Sequence, residues 1–196
     1  MVGLKFTIGD IEAEPGEKVS GFIQSKGLGM PDGTNNYWNI PVIIVRGVEE
    51  GPVFEVDGCM HGDEQEGAYT VLELARSLDP RTMRGVFVGV PVLNVPGFLT
   101  FGGVRGSLTD LMYVDMNRQF PGDPESMSQT RRAIHTFWTE IIKKCDYTVN
   151  LHGCMKAGLY AVAARCVNEA PSHLCAVRYT MSTEISAGLT PLTRAA

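Results

Sequence analysis

At 196 residues, with 44% hydrophobic and 20% charged residues, the chain is long enough for one well-buried domain and short for two. A formal charge of -5 without any basic run argues against nucleic acid, and no apolar run reaches the roughly 18 residues of a membrane span. Met1-Val2-Gly3-Leu4-Lys5 meets charge too soon for a signal peptide, and five cysteines without paired spacing read as reduced packing thiols, so the expected compartment is the cytoplasm.

Two short strands are expected first, Leu4 to Ile8 and Lys18 to Ile23, with a turn at Glu14-Pro15-Gly16-Glu17. A loop rich in Gly, Asn and Pro, from Ser25 to Asn39, sets residues 1–38 apart as an N-terminal β extension packed on a main domain of residues 39–196. Ile40 to Val45 and Val53 to Val56 read as strands flanking a turn at Glu49-Glu50-Gly51-Pro52. Ala68, Val71, Leu72, Ala75 and Leu78 share one face of a helix that Pro80 ends. Val86-Phe87-Val88-Gly89-Val90 is apolar on both faces, as a strand covered on each side by helices should be.

A long irregular stretch runs from Asn94 to Ser126, and loops of that length in a compact domain are usually functional or disordered. An amphipathic helix from about Thr130 to Lys144 buries Ile134, Phe137, Trp138, Ile141 and Ile142. Its last turn carries Lys143 and Lys144, favourable at the negative end of the helix dipole. Tyr147 to Leu151 and Leu159 to Ala164 follow as strands, and the tail from Ser182 to Ala196 lacks a closing element. Strands alternating with helices imply an α/β sandwich around a mostly parallel or mixed sheet, with ligands gathered at the carboxyl ends of its strands.

Met60-His61-Gly62-Asp63-Glu64 and Leu151-His152-Gly153 each follow a strand-like run. The glycine after each His lets the backbone turn away without a side-chain clash. Two imidazoles and one carboxylate on the same rim form a ligand set suited to catalytic zinc, with one coordination position left for water. The competing reading of Asp63, Glu64 and Glu66 is a helix N-terminus whose acids complement the dipole. His135, inside the amphipathic helix, and His173, beside Pro171, read as surface or packing residues. In the long loop, Asp115-Met116-Asn117-Arg118 groups an acid, an amide and a planar guanidinium. Arg118 and Asn117 suit a substrate carboxylate, and Asp115 can accept the second proton of a ligand imidazole. The alternative there is a solvated loop with an internal ion pair.

Three stretches, His61-Gly-Asp-Glu64, Asp115-Met-Asn-Arg118-Gln-Phe-Pro-Gly and Asn150-Leu-His152-Gly, resemble the succinylglutamate desuccinylase/aspartoacylase group of zinc hydrolases, relatives of the zinc carboxypeptidases. Pro91 to Pro96 and Pro15 to Val19 resemble that group as well. The resemblance implies a three-layer α/β/α zinc-carboxypeptidase-like fold around a mixed, mostly parallel sheet, shortened at its C-terminal end. It implies one Zn2+ per chain held by His61, Glu64 and His152, with Asp115 behind His61. Asn117 and Arg118 would bind the substrate carboxylate, and Arg105 would match an arginine that polarises the scissile carbonyl. Two departures stand out. Asn150 occupies a position where the group commonly has Asp, and the chain ends at Ala196, soon after His152, where the group carries its catalytic glutamate on a later strand. Glu184 is the best stand-in for that base, followed by Glu169.

The expected activity is zinc-dependent hydrolysis of a small acidic amide, such as an N-acyl amino acid, by a cytoplasmic protein able to self-associate. Two alternatives are a metal-binding relative that has lost its base, and a structural or interaction protein that keeps the motifs as relics.

Overall fold

The computed structural model describes residues 4–25, 38–99, 115–153, 161–168 and 174–180. Gly9, at φ 54°, closes a hairpin between β1 (Phe6–Ile8) and β2 (Ile11–Ala13). At three residues, β2 is too short to leave a periodic trace in the sequence. Ile8 and Ala13 bury their side chains in the main core. β3 (Glu17–Ser25) pairs antiparallel along the whole of β4 (Trp38–Arg46), which makes it an edge strand of the main sheet.

The turn expected at Glu49-Glu50-Gly51-Pro52 lies elsewhere: those residues open β5 (Glu49–Asp57), and the chain reverses at Gly47-Val48. Buried Arg46 explains the shift. Its guanidinium donates to the carbonyls of Gly47 and Glu49 and pairs with Glu50, tying the turn immediately after β4. A register irregularity between Glu49 and Val53 accommodates Pro52, which has no N–H to donate.

α1 (Glu66–Ser77) carries the chain from β5 to β6 (Arg84–Val90), and β6 inserts between β4 and β5. α2 (Val95–Leu99) interrupts the stretch read as irregular. The Asn94 side chain accepts the Gly97 N–H, and Pro96 sits in the first turn, where its missing donor costs nothing. α3 (Gln129–Glu140) starts at Ser128, whose hydroxyl accepts the Arg131 N–H. The helix expected to reach Lys144 instead tightens after Ile141 into a 3-10 turn over Ile142–Lys144, which keeps both Ile141 and Ile142 buried. β7 (Tyr147–His152), β8 (Ala161–Asn168) and β9 (Leu174–Thr180) complete the described sheet.

The strand order is β3-β4-β6-β5-β7-β8-β9. The sheet is mixed as expected, yet parallel pairing is confined to the two sides of β5, and the other neighbouring pairs are antiparallel. Parallel neighbours require long crossovers. The described chain supplies them only through α1, and through α2 with α3. Alternating side chains serve the two faces. Ile40, Val42, Ile44, Val86 and Val88 meet Ile134 and Phe137 of α3, whereas Val45, Val56 and Phe87 meet Val71 and Ala75 of α1. Three layers result, with β5 at the middle of the sheet.

A candidate metal centre

β5 ends at Asp57 and β7 at His152, and the parallel register sets Asp57 opposite Asn150. The carboxyl ends of these strands are therefore side by side. From Asp57 the chain turns through Gly58 to His61 and Glu64 before entering α1. Gly62 is needed here for close approach and not for backbone freedom: a Cβ on it would fall 2.2 Å from the Gly97 carbonyl carbon of α2. A Cβ on Gly153 would lie 2.4 Å from a Glu66 carboxylate oxygen.

Glu64 is the hub. Its Oε2 accepts from His152 Nδ1 at 2.8 Å and from the Gly153 N–H at 3.1 Å. His61 Nδ1 lies 3.1 Å from Oε1 of the same carboxylate, buried and without an aligned hydrogen bond. On its other side, His61 Nε2 donates to Asp115 Oδ1 at 2.9 Å. The two imidazole rings stand 5.0 Å apart, and one ligand atom from each of His61, Glu64 and His152 lies within 4.8 Å of the others. An inward nitrogen with no hydrogen bond, among donors of N, N and O type, fits a divalent ion such as zinc. Asp115 then completes a carboxylate–histidine relay, holding the His61 tautomer so that Nδ1 is the free ligand atom.

Burial alone would lower the His61 pKa, but the contacts and negative charge of Glu64 and Asp115 outweigh it and hold the imidazole above its ordinary value. Burial pushes Glu64 upward; the two imidazoles reverse this and bring it to about 2. Asp115 is likewise raised by burial and lowered further by His61, the Asn117 N–H and the Arg118 charge, ending below the usual carboxylate range. The cluster thus favours a charged Glu64 facing imidazoles, the arrangement a cation would stabilise.

Asp115 also caps the 3-10 turn Met116–Arg118 by accepting the Asn117 N–H at 3.0 Å. That turn carries the Asn117 amide to 3.4 Å from His152 Nε2, while Arg118 stays exposed, its Nη1 reaching the Asn117 carbonyl. Arg105, Glu169, His173 and Glu184 lie outside the described residues. His135 sits on α3 and is not among the residues that converge on the cluster.

One group of residues escaped the sequence reading. Glu55, expected merely as part of a strand, is fully buried, while its neighbour Phe54 is partly exposed. Glu55, Asp57, Thr148 and Asn150 pair across β5 and β7 and form a buried polar block on the face covered by α3. Burial raises Asp57 to about 8 against the opposing Asn150 hydrogen bond, and Glu55 is raised by burial and by Asp57. Two acids two residues apart in a strand must share a face, and that spacing was the available signal.

Fold and site together define a three-layer α/β domain whose central parallel strands present a cluster able to hold a metal. Residues 51–191 match the Succinylglutamate desuccinylase/Aspartoacylase catalytic domain, and the chain belongs to that family. It is 35% identical over 114 residues to the N-alpha-acetyl-L-2,4-diaminobutyric acid deacetylase of Halomonas elongata, covering 58% of this chain and 31% of the relative. Among solved structures it resembles a succinylglutamate desuccinylase/aspartoacylase from Rhodobacter sphaeroides, with a TM-score of 0.64 and 28% identity over 74% of this chain and 44% of the other. It also resembles the product-bound ectoine utilisation protein EutE (DoeB) from Ruegeria pomeroyi, with a TM-score of 0.58 and 28% identity over 68% of this chain and 38% of the other. The chain spans less than half the length of each of these relatives.

Proposed function

We propose that this chain is a zinc-dependent deacylase domain that cleaves the amide of a small N-acyl amino acid. The observation that carries this reading is the convergence of His61, Glu64 and His152, with His61 Nδ1 buried and unaligned with any hydrogen-bond partner. His61, Glu64 and His152 hold the metal, which when bound supplies Lewis acidity at the amide carbonyl and acidifies water. Asp115 holds His61 in the ligating tautomer. Asn117 and Arg118 anchor the substrate carboxylate, and Arg105 stabilises the negative charge that develops on the carbonyl oxygen. Glu184 takes a proton from water and passes it to the departing amine. The deacetylase of Halomonas elongata supports a small N-acetylated amino acid as substrate. No described helix is long and apolar enough to cross a membrane. We assign the protein to the cytoplasm on its cysteines, of which Cys59 and Cys145 are buried and unbridged.

The test is metal content by elemental analysis, for the wild type and a His61→Ala, His152→Ala double variant, followed by amine release from a panel of N-acetyl amino acids. One zinc per chain, lost in the variant, with turnover that collapses in Glu184→Gln, is the expected result. Metal without turnover points to a relative that has lost its base. No metal after dialysis against zinc overturns the reading.

A further inference from the structure

A cavity of about 320 Å³ opens beside the metal cluster, on the face of the sheet covered by α3. Asn117, whose amide faces His152, lines it, as does Met60, the neighbour of His61. Its walls are apolar and largely aromatic: Phe120, Phe137, Trp138 and Ile142. Phe120 meets Phe137 and Trp138 edge-on, with ring centroids 6.3 and 6.2 Å apart, which braces the wall. Its floor is polar, formed by Asp57, Thr148 and Asn150 from the central strands.

The hydrogen-bond inventory of that floor is lopsided. The Asn150 amide nitrogen donates to Asp57 Oδ1, which leaves Asn150 Oδ1 buried without a partner, and Asn150 is only 8% exposed. Behind them, both carboxylate oxygens of Glu55 are also unpartnered. Among the described residues, no cation pairs with Asp57 or Glu55. Asn150 Oδ1 is an acceptor in need of a donor, and Asp57 becomes a charged acceptor once it gives up the proton that burial holds on it up to about 8, so a donor that carries positive charge fits both. A carboxylate ligand has no donor to offer Asn150 Oδ1 and would oppose ionisation of Asp57. A neutral alkyl group would leave the buried acceptors unsatisfied. An ammonium supplies three N–H donors and a charge, and aromatic walls favour cations as well.

We propose that this cavity is a recognition pocket for a primary ammonium at the end of a short apolar chain, with Asp57 and Asn150 as the specificity-determining residues. Its link to catalysis rests on the deacylase reading, in which it receives the amine-bearing end of the substrate while the acyl amide lies at the metal cluster. The recognition itself does not depend on metal.

Binding is therefore measured on the metal-free full chain, titrated with n-butylammonium, 1-butanol and butanoate and followed by NMR chemical shifts. Butylammonium is expected to bind at least tenfold more tightly than butanol, with butanoate weakest. Asp57→Asn should remove at least tenfold of the butylammonium affinity. The exchange variant Asp57→Asn, Asn150→Asp, which keeps one carboxylate and one amide in contact, should restore most of it. Equal affinity for butylammonium and butanol overturns the proposal, as does a folded Asp57→Asn chain with unchanged affinity. If Asp57→Asn fails to fold, the ligand comparison and the exchange variant still decide. A failure here leaves the metal cluster and its deacylase reading untouched, and a protein devoid of zinc or turnover leaves this binding result intact.

Discussion

His61 Nε2 donates to Asp115 Oδ1 across 2.9 Å, joining residues 54 positions apart in the chain. One bond thereby sets the tautomer of His61, turns its Nδ1 towards Glu64 and fastens the Met116–Arg118 turn beside the cluster. Replacing Asp115 by Ala should weaken zinc affinity by about 10–100-fold, the usual cost of losing such a carboxylate. Competition against a fluorescent chelator reads this directly. Affinity within twofold of wild type would show that His61 is oriented by packing alone.

Metal uptake should strengthen as pH rises. The His61 pKa stands above its ordinary 6.5, so a bound proton competes with zinc up to a higher pH than on an ordinary histidine. Zinc titrations at stepped pH should show tighter binding and proton release on loading. In the metal-free chain, the stability contributed by His61 is present below 6.5 and is lost as pH rises through its raised pKa. Glu64 acts in the opposite sense: its contribution is present above 4.5 and is lost as pH falls towards about 2. Urea unfolding of metal-free protein across that acid range should show the loss, and Glu64→Gln should remove much of it.

Glu55 is expected to destabilise the fold at alkaline pH. Its folded pKa is raised, so the folded state binds a proton that the unfolded chain has already released above 4.5. Stability is retained below that value and drains away as pH rises. Glu55→Gln, which keeps the shape without the charge, should gain on the wild type with increasing pH. Parallel denaturant curves at acid and alkaline pH check it; a constant difference at every pH would refute the assignment.

The two site glycines should respond differently to alanine. At Gly62 the new methyl meets the Gly97 backbone at 2.2 Å, so the His61 loop or α2 must shift, at a cost of about 3 kcal/mol. At Gly153 the obstacle is the far end of the Glu66 side chain, which can swing aside. Gly153→Ala should therefore cost less than about 1 kcal/mol, while Gly62→Ala also lowers zinc affinity. Thermal melts with and without zinc distinguish the two.

What was legible in the sequence followed from local chemistry. His61, Glu64, Asp115 and His152 sit at strand ends or in short turns where Gly and the acidic residues mark the site, and the structure brings all four together. Strand order was not legible, because β6 inserts between β4 and β5 through pairing that no local pattern encodes. Arg46 moved a turn that Gly51-Pro52 marks strongly, since a buried guanidinium binding two carbonyls outweighs turn propensity. α2 was missed although Asn94 and Pro96 are ordinary start signals, because its five residues are too few to show periodicity. The acid block on β5 was passed over because one buried polar residue in an apolar strand looks like the solvent face of an alternating pattern.

Glu64 and His152 meet across 88 residues of chain, and β5 finds both of its parallel partners only after they have been made. During synthesis the first two ligands emerge early but lack the third until β7 is complete. A nascent chain therefore offers metal ions only a weak, two-point grip. Loading becomes a late event, coupled to closure of the central strands, and a ribosome stalled before Tyr147 should display a chain that cannot retain zinc.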